Sequence, residues 1–269
     1  TEHPFTINFS RDDVRITTHY HADMVASSLF SVIHEGGHAL YELHTGRELA
    51  RSNLGTGVSM GIHESQSRFY ENIIGRSRAF CSIIYPWLKE HFAPRLDHVT
   101  EDDFYRMINK SEPSLIRTEA DELTYCLHIM VRYELEKRMF DGSLTAHDLP
   151  AEWNRLYKEY LGIDVPDDRQ GVLQDSHWAN GNIGYFPSYA IGSAYGAQYL
   201  QEMSKELDVD AVVRSGDLTP INNWLEDRIW KHGCMKDPVA LFESVCGKFD
   251  PACYVAYLEK KFTEVYGLS

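Results

Sequence analysis

The chain has 269 residues, 43% of them hydrophobic, enough for a sizeable core in one large domain or two small ones; a single domain over 1–269 is the preferred reading. A formal net charge of −14 without any Lys/Arg-rich run disfavours nucleic acid or an anionic membrane as partner, and no apolar run approaches the roughly 20 residues of a membrane span. Cys81, Cys126, Cys234, Cys246 and Cys253 are odd in number and lack a C-x-x-C pair, so they read as reduced thiols of a cytoplasmic protein, in keeping with the lack of an opening signal peptide.

The first patterned segment, Val14-Arg15-Ile16-Thr17-Thr18, alternates and is β-branched. Residues 57–62 are its expected partner in a small antiparallel sheet, whose edge could hold an extended peptide. A helix is expected over 22–45, with apolar residues Met24, Val25, Leu29, Phe30, Val32, Ile33, Leu40 and Tyr41. Inside it stands His34-Glu35-Gly36-Gly37-His38, the H-E-x-x-H pattern of zinc peptidases. Positions i and i+4 share a helix face, so both imidazoles reach one ion. Glu35 stands beside them, placed to take a proton from a metal-bound water whose pKa the ion has lowered to roughly 7. The reaction class implied is metal-assisted hydrolysis. Gly36 and Gly37 each cost a helix interior on the order of 1 kcal/mol relative to Ala, which suggests close approach of something to the backbone there.

Two histidines leave a catalytic zinc one protein ligand short. Glu64, in Gly61-Ile62-His63-Glu64-Ser65-Gln66, is the candidate third ligand, and His63 competes with it. The glycine-rich stretch 52–57 returns the chain, and a second helix is expected over 63–79. Further helices are expected over 114–140, 148–161, 186–207, 219–232, 237–246 and 251–266. Asp148 before Pro150 and Thr219 before Pro220 mark starts; Gly142, Gly162, Gly233 and Gly247 mark stops. The fold class is mainly α, with a small antiparallel sheet beside the metal helix.

Six motifs occur in one order: His3-Pro4-Phe5, Asp13-Val14-Arg15-Ile16-Thr17, the H-E-G-G-H run, His63-Glu64-Ser65-Gln66, Ile116-Arg117-Thr118-Glu119-Ala120-Asp121, and Gly171-Val172-Leu173-Gln174-Asp175-Ser176-His177-Trp178. With Gly184-Tyr185-Phe186-Pro187-Ser188-Tyr189 after them, the chain resembles the carboxypeptidase Taq family of thermostable metallocarboxypeptidases over nearly its whole length. Members of that family are considerably longer, with a helical region ahead of the H-P-F motif, so this chain resembles their C-terminal, catalytic part. Without that region, the cover over one side of the substrate groove, and with it peptide binding or stability, would be affected.

The resemblance implies a zincin-like helical metallopeptidase fold akin to neurolysin and angiotensin-converting enzyme. It implies release of single residues from peptide C-termini, with broad side-chain tolerance and reluctance toward proline. Such an enzyme must hold a free carboxylate, which a planar guanidinium does with two parallel hydrogen bonds; Arg117 is the choice and Arg15 the runner-up. For the oxyanion the resemblance points to His177 with Tyr189, preferred to Tyr185, and residues 179–184 read as a loop able to close over substrate. Asp121, Glu119 and Asp13 are candidate partners for the ligand imidazoles. Zinc is the expected ion, with cobalt as alternative, since the affinity order of first-row divalent ions favours zinc but availability can override it. A homodimer is compatible with the resemblance. Two other readings stand beside it: a binding module with a structural metal, and an endopeptidase or oligopeptidase in which Arg117 serves only structure.

Overall fold

Strand β1 (Thr6–Ser10) pairs antiparallel with β2 (Asp13–Ile16) across the turn at Arg11-Asp12, with Thr6 opposite Ile16 and Ile7 opposite Arg15. The computed structural model describes residues 1 and 3–268. The expected partner for β2, residues 57–62, is not a strand. Val58 N–H donates to the Tyr41 hydroxyl, and Ser59 caps a helix by accepting from Ile62 N–H. A tight hairpin closes a far shorter loop than pairing across some forty residues, so β1 wins that competition.

Helix α1 (Val25–Leu43) carries the H-E-G-G-H run, and the hairpin packs on it through Thr6 and Asn8, which the strand's alternation puts on one face. Helix α2 (Met60–Arg68) passes into a single π-helical stretch, Phe69–Ile74, rather than continuing as expected to 79. Ser77 then caps α3 (Arg78–His91), and α4 (Glu101–Ile108) follows. Neither α3 nor α4 was expected: Pro86 inside α3 breaks the pattern that signals a helix. The helix expected over 114–140 begins only at α5 (Tyr125–Phe140). Ahead of it lies a 3₁₀ turn, Arg117–Glu119, and the Asp121 carboxylate holds the chain in a turn by accepting from Leu123 and Thr124 N–H groups.

Helix α6 (Leu149–Leu161) starts with Pro150 in its first turn and ends at Gly162 in the left-handed region, φ +74°. Then come α7 (Pro187–Met203), α8 (Val209–Ser215), α9 (Thr219–Arg228), α10 (Pro238–Cys246) and α11 (Ala252–Tyr266). The short α8 was also not expected. Among the described residues the architecture is mainly helical with one two-stranded antiparallel sheet against α1, as the sequence led one to expect.

The chain divides into two compact units, 1–108 with 192–269, and 109–191. The first has a core of Tyr41, Ile62, Phe69, Tyr199, Trp230 and Phe242, with a smaller cluster around Cys81, Tyr85 and Tyr105. In the second, α5 and α6 bury Val131, Leu135, Trp153, Leu156 and Tyr157 against one another. Each such large apolar side chain contributes about 1.5–3 kcal/mol when fully buried. Among the described residues, no helix is long and apolar enough to cross a membrane.

Candidate metal centre

The site begins with how close three helices come. A Cβ built on Gly37 of α1 would lie 2.7 Å from Gln66 O and from Ser67 Cα, so only glycine lets α2 pack there. On the other flank, a Cβ on Gly192 of α7 would lie 2.5 Å from Glu64 Cβ. Helix α2 is thus clasped between two glycine faces, and Glu64, against Gly192, is 3% exposed. Gly36 meets nothing within 4 Å, so the close approach expected at both glycines occurs at Gly37 alone.

His34 and His38 project from one face of α1, ring centroids 5.0 Å apart. His34 Nε2 lies 3.8 Å from one Glu64 oxygen and His38 Nε2 3.9 Å from the other. The three ligand atoms fall within 4.8 Å of one another, and among the described residues this is the group of His, Cys, Asp or Glu so disposed. Those separations exceed hydrogen-bond length and suit atoms that share an ion rather than a proton.

The outer ring nitrogens support the same reading. His34 Nδ1 stands 2.8 Å from Glu71 Oε2. The carboxylate accepts, so Nδ1 carries the proton and the Nε2 lone pair faces Glu64. Glu71 lies in the π-helical stretch and is flanked by Arg68 and Arg76. Burial opposes its charge, yet Arg68, His34 and Arg76 outweigh burial and hold its carboxyl well below the usual range. Burial likewise opposes a charged His34, but Glu71 and Glu64 prevail and raise its pKa; for His38, burial and the neighbouring His34 and His63 push it well below the ordinary value. Two imidazole nitrogens with free lone pairs and a buried carboxylate form a donor set that fits a divalent cation of the zinc type.

His63, the rival ligand, stands outside this group. Its Nδ1 meets His38 Nδ1 at 3.1 Å and its Nε2 meets Glu42 Oε1 at 2.7 Å. Of the three partners proposed for these imidazoles, Asp13 is engaged with Arg15, Asp121 with its own turn, and Glu119 lies exposed in the turn Arg117–Glu119. Glu71 was missed, although its position seven residues after Glu64, on the same helical face, was a signal. Glu35 is buried next to His34 on α1, and Thr6 Oγ1 lies 2.6 Å from its Oε2 and 3.0 Å from its backbone carbonyl. Arg15 makes two 2.8 Å bonds to Asp13 and is mostly exposed. Being paired with Ile7, it lies on the hairpin face opposite Thr6.

The other expected residues belong to the second unit. Arg117 is 4% exposed, donating through Nε and Nη2 to Asp175 Oδ1 at 2.9 and 2.8 Å and through Nη1 to the Tyr125 hydroxyl at 2.9 Å. Arg132, fully buried, takes Asp175 Oδ2 at 2.6 Å. Burial opposes the Asp175 charge, but the two guanidiniums hold its pKa below the ordinary value. His177 Nε2 lies 3.0 Å from the Tyr189 hydroxyl, with the Tyr185 ring centroid 5.4 Å from the imidazole. Glu136 ties down residues 179–184 from both ends, accepting from Trp178 Nε1 at 2.8 Å and from Gly184 N–H at 3.2 Å. His177, Tyr185 and Tyr189 are therefore brought together, whereas the Arg117 fork is already occupied.

Comparison with known proteins adds a further finding. Residues 1–262 match the family model described as carboxypeptidase Taq (M32) metallopeptidase. The chain is 45% identical over 268 residues to carboxypeptidase 1 of Bacillus subtilis, covering 99% of this chain and 54% of that one. It is 44% identical to thermostable carboxypeptidase 1 of Thermus thermophilus, covering 99% and 52%. The crystal structure of an M32 carboxypeptidase from Deinococcus radiodurans superposes with a TM-score of 0.97 at 40% identity, over 100% of this chain and 55% of that one. The chain spans about half the length of the curated relatives it matches.

Proposed function

Because the chain belongs to the carboxypeptidase Taq (M32) metallopeptidase family, we propose that it is the catalytic part of a metallocarboxypeptidase that releases single C-terminal residues from peptides with broad specificity. The observation that carries this reading is the group formed by half-buried His34 and His38 with buried Glu64, and Glu35 beside the two histidines on the same helix. A divalent cation held there supplies Lewis acidity toward a water and the scissile carbonyl. Glu35, with its carboxylate oriented by Thr6, takes the proton of the attacking water and passes it to the leaving amine. His177 with Tyr189, or Tyr185, is assigned to the oxyanion. Arg117 and Arg15 are the two cations assigned to the substrate carboxylate; Arg117 serves only if its pair with Asp175 opens. Zinc as the ion, with cobalt as alternative, a homodimer and a cytoplasmic location complete the reading.

The test compares a free-acid peptide with its C-terminal amide on the metal-loaded chain, followed by mass spectrometry, with Glu35→Gln as control. Stepwise loss from the free acid alone, abolished in the control, is the expected result. Internal cleavage of both peptides would instead support an endopeptidase, the reading that the burial of Arg117 against Asp175 favours. Metal binding without cleavage of either would leave a metal-binding module.

A further inference from the structure

Behind His38 lies a second imidazole in surroundings as closely built as those of the ligands. The His63 ring lies 4.8 Å from the Tyr41 ring, and a missing side chain makes room for it: a Cβ on Gly57 would collide with His63 Nε2 and come within 2.7 Å of Tyr41 Cε1. Glu42, one turn beyond His38 on α1, is 5% exposed. Besides the His63 nitrogen, its carboxylate accepts from Gly57 N–H at 2.9 Å, Thr56 Oγ1 at 2.8 Å and Asn8 Nδ2 at 2.6 Å. Each of these donors comes from a different residue, and together they leave the carboxylate no freedom to turn.

The hydrogen bonds then assign every proton along the line. A carboxylate among four donors only accepts, so the proton of His63 sits on Nε2. Its Nδ1 is therefore an acceptor, the proton of His38 sits on Nδ1, and the Nε2 lone pair of His38 faces Glu64.

We propose that Glu42 and His63 form a positioning relay that fixes the tautomer and ring orientation of His38. The proposal rests on the reading of His34, His38 and Glu64 as ligands. It makes the two imidazole ligands unequal: His34 leans directly on a carboxylate, Glu71, while His38 reaches one only through a second ring.

The experiment measures Zn2+ affinity by chelator competition and the visible absorption of the Co2+-substituted chain, with metal-free melting recorded in parallel. His63→Leu removes the acceptor and is expected to weaken Zn2+ by 10- to 100-fold. His63→Asn, which keeps an oxygen at the Nδ1 position, restores most of that loss. Glu42→Gln retains the shape but not the charge; it shifts the Co2+ absorption bands and weakens Zn2+ less than His63→Leu. Glu42→Gln combined with His63→Leu is no worse than His63→Leu alone, because both act through one ring. Affinity and Co2+ spectrum unchanged in Glu42→Gln, or His63→Asn as weak as His63→Leu, would overturn the relay. If His63→Leu does not fold, the Glu42→Gln spectrum alone decides. His38→Ala separates the two levels: Zn2+ binding that survives it sinks the ligand reading itself, whereas binding lost there but untouched by the relay variants sinks only the relay.

Discussion

Ser67 stands so close to Gly37 that its Cα would lie 2.7 Å from any Cβ placed there. Gly37→Ala must push α2, and with it Glu64, away from α1. A loss of about 2 kcal/mol or more in unfolding free energy is expected, together with weaker metal binding. Gly36→Ala is the contrast: nothing lies within 4 Å, and a helix interior gains up to about 1 kcal/mol from the change. Urea unfolding of the two variants checks both signs, and equal effects would refute the close-approach argument.

Removal of the ion from the His34, His38 and Glu64 group lowers stability by mass action. At a thousandfold excess of free ion over Kd the bound form gains about 4 kcal/mol, which a chelator takes away. His38→Ala and Glu64→Ala chains should melt at one temperature whether or not metal is added, as calorimetry with and without Zn2+ would show.

Glu35→Gln leaves the ligands in place while removing the base. Turnover should fall by about 10²- to 10⁴-fold with metal content unchanged. Thr6→Val removes only the hydroxyl that orients Glu35, worth about 1 kcal/mol or a several-fold loss in kcat, and Thr6→Ser should recover it. Metal analysis beside steady-state kinetics distinguishes these effects from loss of the ion.

His128 is fully buried in the second unit, its Nδ1 3.1 Å from the Tyr157 hydroxyl. Burial, helped by Arg132 and Arg117, pushes its pKa down to about 3. Between that value and the ordinary value of about 6.5 the unfolded chain takes up a proton that the folded chain refuses. Stability therefore falls as pH drops through this window, with a slope of about 1.4 kcal/mol per pH unit from this group at most. Asp175, whose pKa is depressed, adds its loss only at lower pH, as its carboxylate protonates in the folded state. His128→Gln should flatten the dependence between pH 6.5 and 4.5; an unchanged slope in denaturant titrations would refute the assignment.

Helix starts and stops were legible where one residue type settles a local backbone problem, as Pro150 opens α6 and Gly162 closes it. The π-helical stretch after α2 and the late start of α5 were not; ahead of α5 the Asp121 carboxylate holds a turn by accepting from the Leu123 and Thr124 N–H groups. The strand partner was misread because residues 57–62 carry strand-like composition, while the hydroxyls of Tyr41 and Ser59 draw their N–H groups into a helix start. Glu71 and Glu42 escaped notice since a carboxylate in a helix usually faces water, and only packing shows which ones are buried against an imidazole.

What this sequence determined by itself is what local geometry dictates. Four-residue spacing on a helix puts His34 and His38 on one face with Glu35 beside them, and the glycine pair at 36 and 37 marks a close approach that the structure places at Gly37 alone. Tertiary structure decided the rest: that Glu64 faces both imidazoles while His63 turns to Glu42, and that the Arg117 fork is closed on Asp175. Those outcomes depend on which buried donor meets which buried acceptor across distant segments. The cost of leaving a buried polar group unpaired, about 1–3 kcal/mol each, selects among them only once the chain has folded.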